Sequence, residues 1–523
     1  MFNKVLVANR GEIAVRVMRA CRELGVRSVA VYSEADRGAL HARYADEAYC
    51  IGGPTAAESY LNAAAIVATA RACGADAVHP GYGFLSEQAD FAEACAAAGI
   101  TFIGPSPETL RLVGDKVAAR GVAFRAGVPT VPGSQGRVSV EEALAAARGI
   151  GYPLLIKAAA GGGAYRVLEL VLAVDAPDAL ATAAAEAEAN FGDDGLYVER
   201  YLDPVRHIEV QVVADKHGTL VHLGERECSL QRRSQKIVEE SPSPAVDAAL
   251  RERLGAAAVA VMREAGYENA GTVEFLFDDA TREFYFIEVN ARIQVEHPVT
   301  ELVTGIDLIQ TQLRVASGEA LGLTQDDIAL RGWAIECRLT AEDADQGFLP
   351  SLGQVSLVNE PSGPGVRVDS SLFTGLEVGP YYDSMLAKVI VWGTDRPAAL
   401  ARLQRALGEY ELLGVKTTLP FLRRLVADEA FASGAIYTRF LEVRGDLFEP
   451  QPRDEDGEAL LAAALLSHLR RSSGGPGNGA SHGQAGPSGW RTAVRQAGVN
   501  RAVERGGGAA TTRGGGASWR SIS

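Results

Sequence analysis

Phe284-Tyr285-Phe286-Ile287-Glu288-Val289-Asn290-Ala291-Arg292-Ile293-Gln294-Val295-Glu296-His297-Pro298 is the stretch from which the rest of the chain is read. Residues 284–289 are almost wholly apolar or aromatic, as in a buried strand. Glu288, Asn290, Arg292, Gln294 and Glu296 then fall at every second position. In extended chain that spacing puts all five on one face. A solvated sheet face alternates in the same way and is the plainer reading. The apolar run ahead of it and the residue types weigh against that reading. Hard cations such as Mg²⁺ take oxygen ligands from carboxylates and amides. An arginine beside them grips a carbonate or phosphate in a fork. The spacing marks a candidate metal–anion site.

Upstream, residues 271–277 read as a strand carrying Glu274, and residues 281–289 read as its hairpin partner. That pairing brings Glu274 near Glu288 and Asn290, a set suited to magnesium that keeps waters and substrate phosphates as its other ligands. His207-Ile208-Glu209-Val210-Gln211-Val212-Val213 alternates polar and apolar residues, and residues 219–223 make its hairpin partner. Residues 225–236 are dense in polar groups, which is the usual composition of a surface loop. Tyr152-Pro153-Leu154-Leu155-Ile156-Lys157 reads as a strand ending in a lysine, followed by Ala158-Ala159-Ala160-Gly161-Gly162-Gly163. A lysine at a strand end beside a glycine loop pairs with phosphates, although a flexible linker has the same composition. No Walker A pattern is present.

The N-terminal region opens strand–turn–helix–strand: residues 4–8, the turn Asn9-Arg10-Gly11-Glu12, a helix carrying Ile13, Val17, Cys21 and Leu24, and a strand over 28–32. This is the start of a parallel, doubly wound unit. A further strand over 75–78 leads into His79-Pro80-Gly81-Tyr82-Gly83-Phe84-Leu85-Ser86-Glu87. Such loops at the carboxyl ends of parallel strands are where these sheets bind ligands, although turn chemistry alone explains the bend. After Arg331 the pattern becomes strand-rich, with a helix over 397–413. From Ser472 the chain is rich in Gly, Ser, Ala and Arg without periodicity, a composition read as disordered.

A chain of 523 residues, 47% hydrophobic and 22% charged, has room for several domains of an ordinary globular protein. Its net charge of −15 argues against a general nucleic-acid binder, but local lysines and glycine loops still hold anionic nucleotides. The six cysteines contain no C-x-x-C pair, which fits reduced thiols better than disulfides or zinc. There is no apolar N-terminal core of the signal-peptide kind and no run long enough to span a bilayer, so a cytoplasmic location is expected.

Taken together, these motifs resemble the biotin carboxylase component of biotin-dependent acyl-CoA carboxylases, with an ATP-grasp central domain. The resemblance runs from Met1 to about Val443. It rests on residues 7–14, 79–87, 102–105, 157–163, 225–233, 284–301 and 380–385. It implies an α/β fold: an N-terminal Rossmann-like parallel-sheet domain over 1–115, an ATP-grasp domain over 116–330 with a lid at about 130–203, a C-terminal mixed sheet and helix domain over 331–446, and a disordered tail over 447–523. In this family Lys116, Lys157, Gly162 and Gly163 would bind ATP phosphates. Glu199, Arg200 and Leu202 would lie along the adenine, with His207 and Gln231 at the ribose. Glu274, Glu288 and Asn290 would carry Mg²⁺ or Mn²⁺. Lys236, Arg292 and the backbone at Gln294 and Val295 would hold bicarbonate, with Glu296 as general base. Arg338 would stabilise the enolate-like ureido group of biotin, beside Tyr82. The implied partners are a biotin carboxyl carrier protein, the carboxyltransferase and a second copy of the chain, in an acetyl-CoA type carboxylase of fatty acid biosynthesis; no nucleic acid or membrane is implied.

The chain departs from the family after Gly163, where Ala164-Tyr165-Arg166-Val167-Leu168-Glu169-Leu170-Val171-Leu172-Ala173-Val174 replaces a glycine lid with a basic residue. Compensating frameshifts or a slower or inactive homologue would each account for this. Ser234 stands where some members have a nucleotide-contacting His, and the Ala/Val-Met-Lys-Met biotin-attachment tetrapeptide is absent from the tail. Biotin is therefore expected on another polypeptide. A different ATP-grasp ligase and a non-catalytic nucleotide-binding scaffold are the competing functions.

Overall fold

Lys4–Val7 is buried along its whole length, and the polypeptide turns at Asn9 directly into the helix Gly11–Glu23. With Lys4–Val7 as β1, the N-terminal sheet adds β2 (Arg27–Ser33), β3 (Glu47–Gly52), β4 (Ala77–His79) and β5 (Thr101–Phe102). All four pairings are parallel, in the order β3-β2-β1-β4-β5. Asn9, at the carboxyl end of β1, donates from Nδ2 to the carbonyls of Pro80 (2.7 Å) and Tyr82 (2.8 Å), and so holds the loop that follows β4. Gly81 in that loop has φ +64°, and a Cβ there would meet Asn9 Nδ2 at 2.8 Å, so a side chain is excluded on both counts.

This computed structural model describes residues 1–134, 136–158, 167–171, 176–191, 195–449 and Leu465. Met1–Pro450 forms one compact unit. Of the tail assigned to disorder over 447–523, Leu447 and Phe448 instead end the short helix Gly445–Phe448, with Leu447 buried; the tail beyond Glu449 lies outside the described residues, apart from Leu465. So do Gly162 and Gly163 and residues 164–166 and 172–174 of the altered lid segment. Val167–Val171, from the same segment, is a strand. With β6 (Leu154–Ala158), β7 (Val167–Val171) and β8 (Leu196–Arg200), a small antiparallel sheet has the order β7-β6-β8.

The large sheet is made of β9 (Arg206–Ala214), β10 (Leu220–Arg232), β11 (Gln235–Ser241), β12 (Asn269–Asp278), β13 (Glu283–Asn290), β14 (Trp333–Thr340), β15 (Val366–Ser370) and β16 (Met385–Gly393). Its order is β13-β12-β9-β10-β11-β14-β16-β15, antiparallel throughout. One sheet therefore continues across position 331. The helix Ala248–Glu264, capped by Asp247 Oδ1 accepting from the Leu250 amide at 2.9 Å, buries Leu250, Leu254, Ala258, Val261 and Met262 in the core that also contains Phe275, Phe277 and Phe286.

Two expectations are corrected by this sheet. The polar run over 225–236 is not a surface loop: Glu225, Arg226 and Glu227 are buried in β10, and only Arg233 and Ser234 form the turn before β11. Cross-strand partners and ion pairs satisfy these charges, so the composition misleads. The period-two run also does not stay extended. β13 ends at Asn290, residues 291–296 are irregular, and the helix His297–Thr304 begins at once. The alternating polar groups of residues 288–296 meet because the chain folds back on itself, not because they share a strand face.

Inside the sheet, Glu239 of β11 stands opposite Glu336 of β14, and both are fully buried. Glu239 Oε1 accepts from Arg338 Nε at 2.6 Å. The other three carboxylate oxygens have no hydrogen-bond partner among the described residues. Two carboxylates buried face to face do not both ionise. Burial pushes Glu239 up to about 7 against the pull of Arg338. Burial, with Glu239 as a like-charged neighbour, drives Glu336 well above the carboxylate range despite Lys388. Glu336 is thus the proton holder at neutral pH. A raised folded-state pKa contributes stability below the unfolded carboxylate pKa, and that contribution is lost as pH rises. Glu336→Gln, which mimics the protonated acid, is expected to gain stability relative to the parent as pH rises from about 5 to about 8, by at most about 1.4 kcal/mol per pH unit. Urea unfolding midpoints across that range measure the gain, and a pH-independent difference contradicts the assignment.

Candidate active site

Lys236, near the start of β11, points its ammonium at three carboxylates from three segments. Nζ lies 2.5 Å from Glu209 Oε2 on β9, 3.0 Å from Glu274 Oε1 on β12, and 2.6 Å from Glu296 Oε1 in the loop after β13. The strand register makes this possible, because Glu274 stands opposite Glu209 on one side and Glu288 on the other. Arg226, fully buried on β10, completes the cluster from below with five hydrogen bonds: to Glu209 Oε1 (2.5 Å), Gln211 (2.8 Å), Thr300 (3.0 Å), Thr272 (3.1 Å) and Gln294 Oε1 (2.6 Å). Gln294 Nε2 and Asn290 Nδ2 both donate to Glu274 Oε1, at 2.9 and 2.8 Å.

The electrostatics follow from this packing. Burial opposes charge on every member, yet Lys236 and His207 hold Glu274 well below the usual carboxylate range, and Lys236, Arg338 and Arg226 do the same for Glu296. Burial likewise opposes the Lys236 charge, but Glu209, Glu274 and Glu296 raise it well above the usual lysine value. Lys236, Glu274 and Glu296 are therefore held in their charged forms. Arg338 Nη2 reaches Glu296 Oε2 at 2.9 Å and also contacts Glu239. Arg292 donates to Glu87 Oε2 (3.0 Å) and Asn290 Oδ1 (2.8 Å). Glu87, in the loop after β4, also accepts from the Ala291 amide at 3.0 Å, which ties the N-terminal sheet to the loop after β13.

Lys116, at the start of the helix Lys116–Arg125, lies 3.3 Å from Glu288 Oε2. Glu274, Glu288 and Asn290 thus offer hard oxygen donors in register on adjacent strands, a set that fits a Mg²⁺-type cation. His207 lies 2.9 Å from Glu274 Oε2 and 3.8 Å from Glu209 Oε2. Glu209 and Arg226 were not singled out as site residues in the sequence. The alternation His207, Glu209, Gln211 carried a signal for the first. Nothing local distinguished Arg226 from a solvated arginine.

Other expected residues lie at the margins. Glu199 and Arg200 end β8, and Leu202 follows in the connection to β9. The segment at 129–133 links them to the large sheet: the Phe286 amide donates to the Pro129 carbonyl (2.7 Å) and the Arg200 amide to the Pro132 carbonyl (2.8 Å). Gln231 stands near the end of β10, opposite Lys236. Lys157 lies in β6 opposite Tyr197, and its side chain is outside the described part of the structure. A cavity of about 600 Å³ opens on the other side of Arg338, lined by Gly11, Tyr82, Phe84, Arg292, Arg338 and Tyr382 among others. Arg10 lies over the Tyr382 ring at 4.1 Å, and the Tyr382 hydroxyl bonds Ser33 Oγ at 2.6 Å, closing that wall between the N-terminal sheet and the loop before β16.

The arrangement joins an oxygen-donor set for a divalent cation, cations able to hold an oxyanion, an ionised buried carboxylate beside them, and a roomy pocket reached through an arginine. Comparison with known proteins agrees with it. Family models match in three consecutive parts: "Biotin carboxylase, N-terminal domain" over residues 1–110, "Carbamoyl-phosphate synthase L chain, ATP binding domain" over 115–324, and "Biotin carboxylase C-terminal domain" over 336–443. Biotin carboxylase 1 of Bacillus subtilis is 52% identical over 443 residues, covering 84% of this chain and 98% of the relative. The biotin carboxylase domain dimer of Hydrogenobacter thermophilus 2-oxoglutarate carboxylase, in complex with MgADP, ADP and bicarbonate, superposes with a TM-score of 0.80 at 48% identity, covering 86% of this chain and all of that one. The crystal structure of the biotin carboxylase subunit of pyruvate carboxylase superposes with a TM-score of 0.77 at 48% identity, with the same coverage. The chain belongs to the biotin carboxylase family, and is an enzyme of the ATP-grasp ligase class.

Proposed function

We propose that this chain carboxylates biotin, carried on a separate polypeptide, with bicarbonate and ATP, as the first half-reaction of an acyl-CoA carboxylase of the acetyl-CoA type. The observation that carries this reading is Glu296, a buried carboxylate held ionised between Lys236 and Arg338. Bicarbonate is a weak nucleophile until it loses its proton, and a fixed carboxylate base beside it supplies that step. Lys236 and Arg292, with the backbone at Gln294 and Val295, hold the anion, and Glu296 takes its proton. The bicarbonate oxygen then attacks the γ-phosphorus of ATP, the bond to ADP breaks, and carboxyphosphate results. Lys116 and Lys157 take the phosphate charge, and His207, Gln231, Glu199, Arg200 and Leu202 lie along the nucleoside. Glu274, Glu288 and Asn290 would hold Mg²⁺ or Mn²⁺, which when bound spreads the charge of the transferring phosphoryl group.

Carboxyphosphate yields CO₂ and phosphate beside biotin, the phosphate removes the ureido N–H proton, and the nitrogen takes up CO₂. The ureido oxygen gains negative charge in this step, and Arg338, fixed by Glu239 and Glu296, stands as its donor. The cavity lined by Tyr82 and Arg338 is where biotin enters. Solved relatives from 2-oxoglutarate carboxylase and pyruvate carboxylase are both 48% identical to this chain; in this reading the choice of acceptor belongs to the carboxyltransferase partner. The dimeric relative supports a homodimer. The six free cysteines are consistent with a cytoplasmic chain, and among the described residues no helix is long and apolar enough to cross a membrane.

Bicarbonate-dependent ATP hydrolysis is expected to rise with free biotin; Glu296→Gln is expected to lower both rates by about 10² to 10⁴, while Arg338→Gln is expected to lower the biotin-stimulated part more than the basal rate, which it reaches only through Glu296. Coupled ADP-release assays measure this, and turnover indifferent to biotin points to another ATP-grasp ligase. Glu288→Gln or removal of divalent cation is expected to abolish hydrolysis while thermal unfolding stays cooperative, and restoration by excess Mg²⁺ or Mn²⁺ in the variant measures the weakened metal affinity.

A further inference from the structure

Lys388 is fully buried in the middle of β16 and belongs to none of the roles above. Its Nζ donates to the Val295 carbonyl at 2.7 Å, in the irregular segment between β13 and the helix His297–Thr304. The same ammonium lies 3.3 Å from Glu12 Oε1 in the first turn of the helix Gly11–Glu23, and 3.8 Å from Asp369 Oδ2 on β15. Glu12 also accepts from the Tyr82 hydroxyl. Lys388 stands opposite Arg338 across β14 and β16, on the same side of the sheet. One buried cation thus gathers contacts from the N-terminal helix, the loop that carries Glu296, and the neighbouring strand β15.

The contact falls on a consequential peptide. The Val295 carbonyl shares its peptide plane with the Glu296 amide, so fixing that oxygen fixes the plane that carries the Glu296 amide and ends at the Glu296 Cα. On its other side the turn is pinned by the Gln294 carbonyl, which lies 2.8 Å from His297 Nδ1. A buried ammonium is costly unless paired and hydrogen-bonded, and Glu12, Asp369 and the carbonyl meet that requirement together. A lysine needed only for packing would be replaceable by an apolar side chain here. Among the described residues, the carbonyl it bonds lies on the loop that forms the anion site.

We propose that Lys388 is a positioning residue for bicarbonate activation, holding the Val295 carbonyl so that Val295 and Glu296 keep the geometry that binds and deprotonates the anion. This inference rests on the proposed placement of bicarbonate at that loop. Lys388 is expected to act on bicarbonate rather than on ATP, because its partners among the described residues include none assigned to the nucleotide.

The test is steady-state ATP hydrolysis by the full chain, varying bicarbonate and ATP separately, for the parent, Lys388→Met and Lys388→Gln. Losing a charge-assisted hydrogen bond corresponds to about a tenfold to hundredfold rise in KM for bicarbonate. That rise is expected in Lys388→Met with KM for ATP within about twofold of the parent, and a smaller rise in Lys388→Gln, which keeps an N–H donor for the carbonyl. An unchanged KM for bicarbonate, or equal rises for both substrates, overturns the proposal. If Lys388→Met does not fold, Lys388→Gln decides the matter by the same ratio of KM changes. A parent enzyme whose ATP hydrolysis does not depend on bicarbonate at all instead overturns the placement of bicarbonate, and this result is seen before any variant is made.

Discussion

The Lys236 ammonium is the constraint on which the rest of the site depends. Glu209, Glu274 and Glu296 are buried within hydrogen-bonding distance of it, and three carboxylates so close together are compatible with a folded chain only if a cation stands among them. Arg226 supplies the second cation from inside the sheet, and its five bonds leave it one orientation. Such clusters add little to stability, since the desolvation of each ion offsets most of the attraction. What they confer is preorganisation: charges that need no rearrangement when a substrate arrives.

The continuous eight-stranded sheet delivers this arrangement. Glu209, Glu274 and Glu288 come from neighbouring strands in register, Lys236 from β11, and Arg338 from β14, the next strand in the sheet. Arg338 thereby has Glu239 behind it and Glu296 ahead, and faces the larger cavity with Tyr82. The N-terminal sheet closes the other side by Glu87 on Arg292 and by Arg16 on Glu301. Each part contributes polar groups to a common interior, and a shift of either relative to the large sheet would leave buried charges unpaired.

The start of the N-terminal parallel sheet and the hairpin that pairs Glu274 with Glu288 were legible from periodicity and turn residues, whereas the helix His297–Thr304 was not. The strand Glu47–Gly52 and the helix Leu40–Tyr44 were not, because each is short and weakly patterned. The burial of residues 225–230 was missed for a different reason. A charge-dense strand and a solvated loop have the same composition, and only the partners across the sheet distinguish them. In the same way Arg226 was read within a surface loop, although it and Glu209 are fully enclosed ions of the site.

By itself the sequence determined the kinds of chemistry available: carboxylates and an amide for a hard cation, arginines and lysines for anions, and a family whose motifs recur in order from residue 7 to residue 385. It also marked the strongly periodic strands and helices, because hydrophobic period is a local property, but not the charge-dense strand Leu220–Arg232 or the end of β13 at Asn290. Only the tertiary structure decided which charges meet and which are ionised. Glu296 is held as an anion and Glu336 as an acid, though both are buried glutamates, because one faces Lys236 and Arg338 and the other faces Glu239. Desolvation and Coulomb interaction depend on what packs around a group, and residues distant in the chain supply that packing.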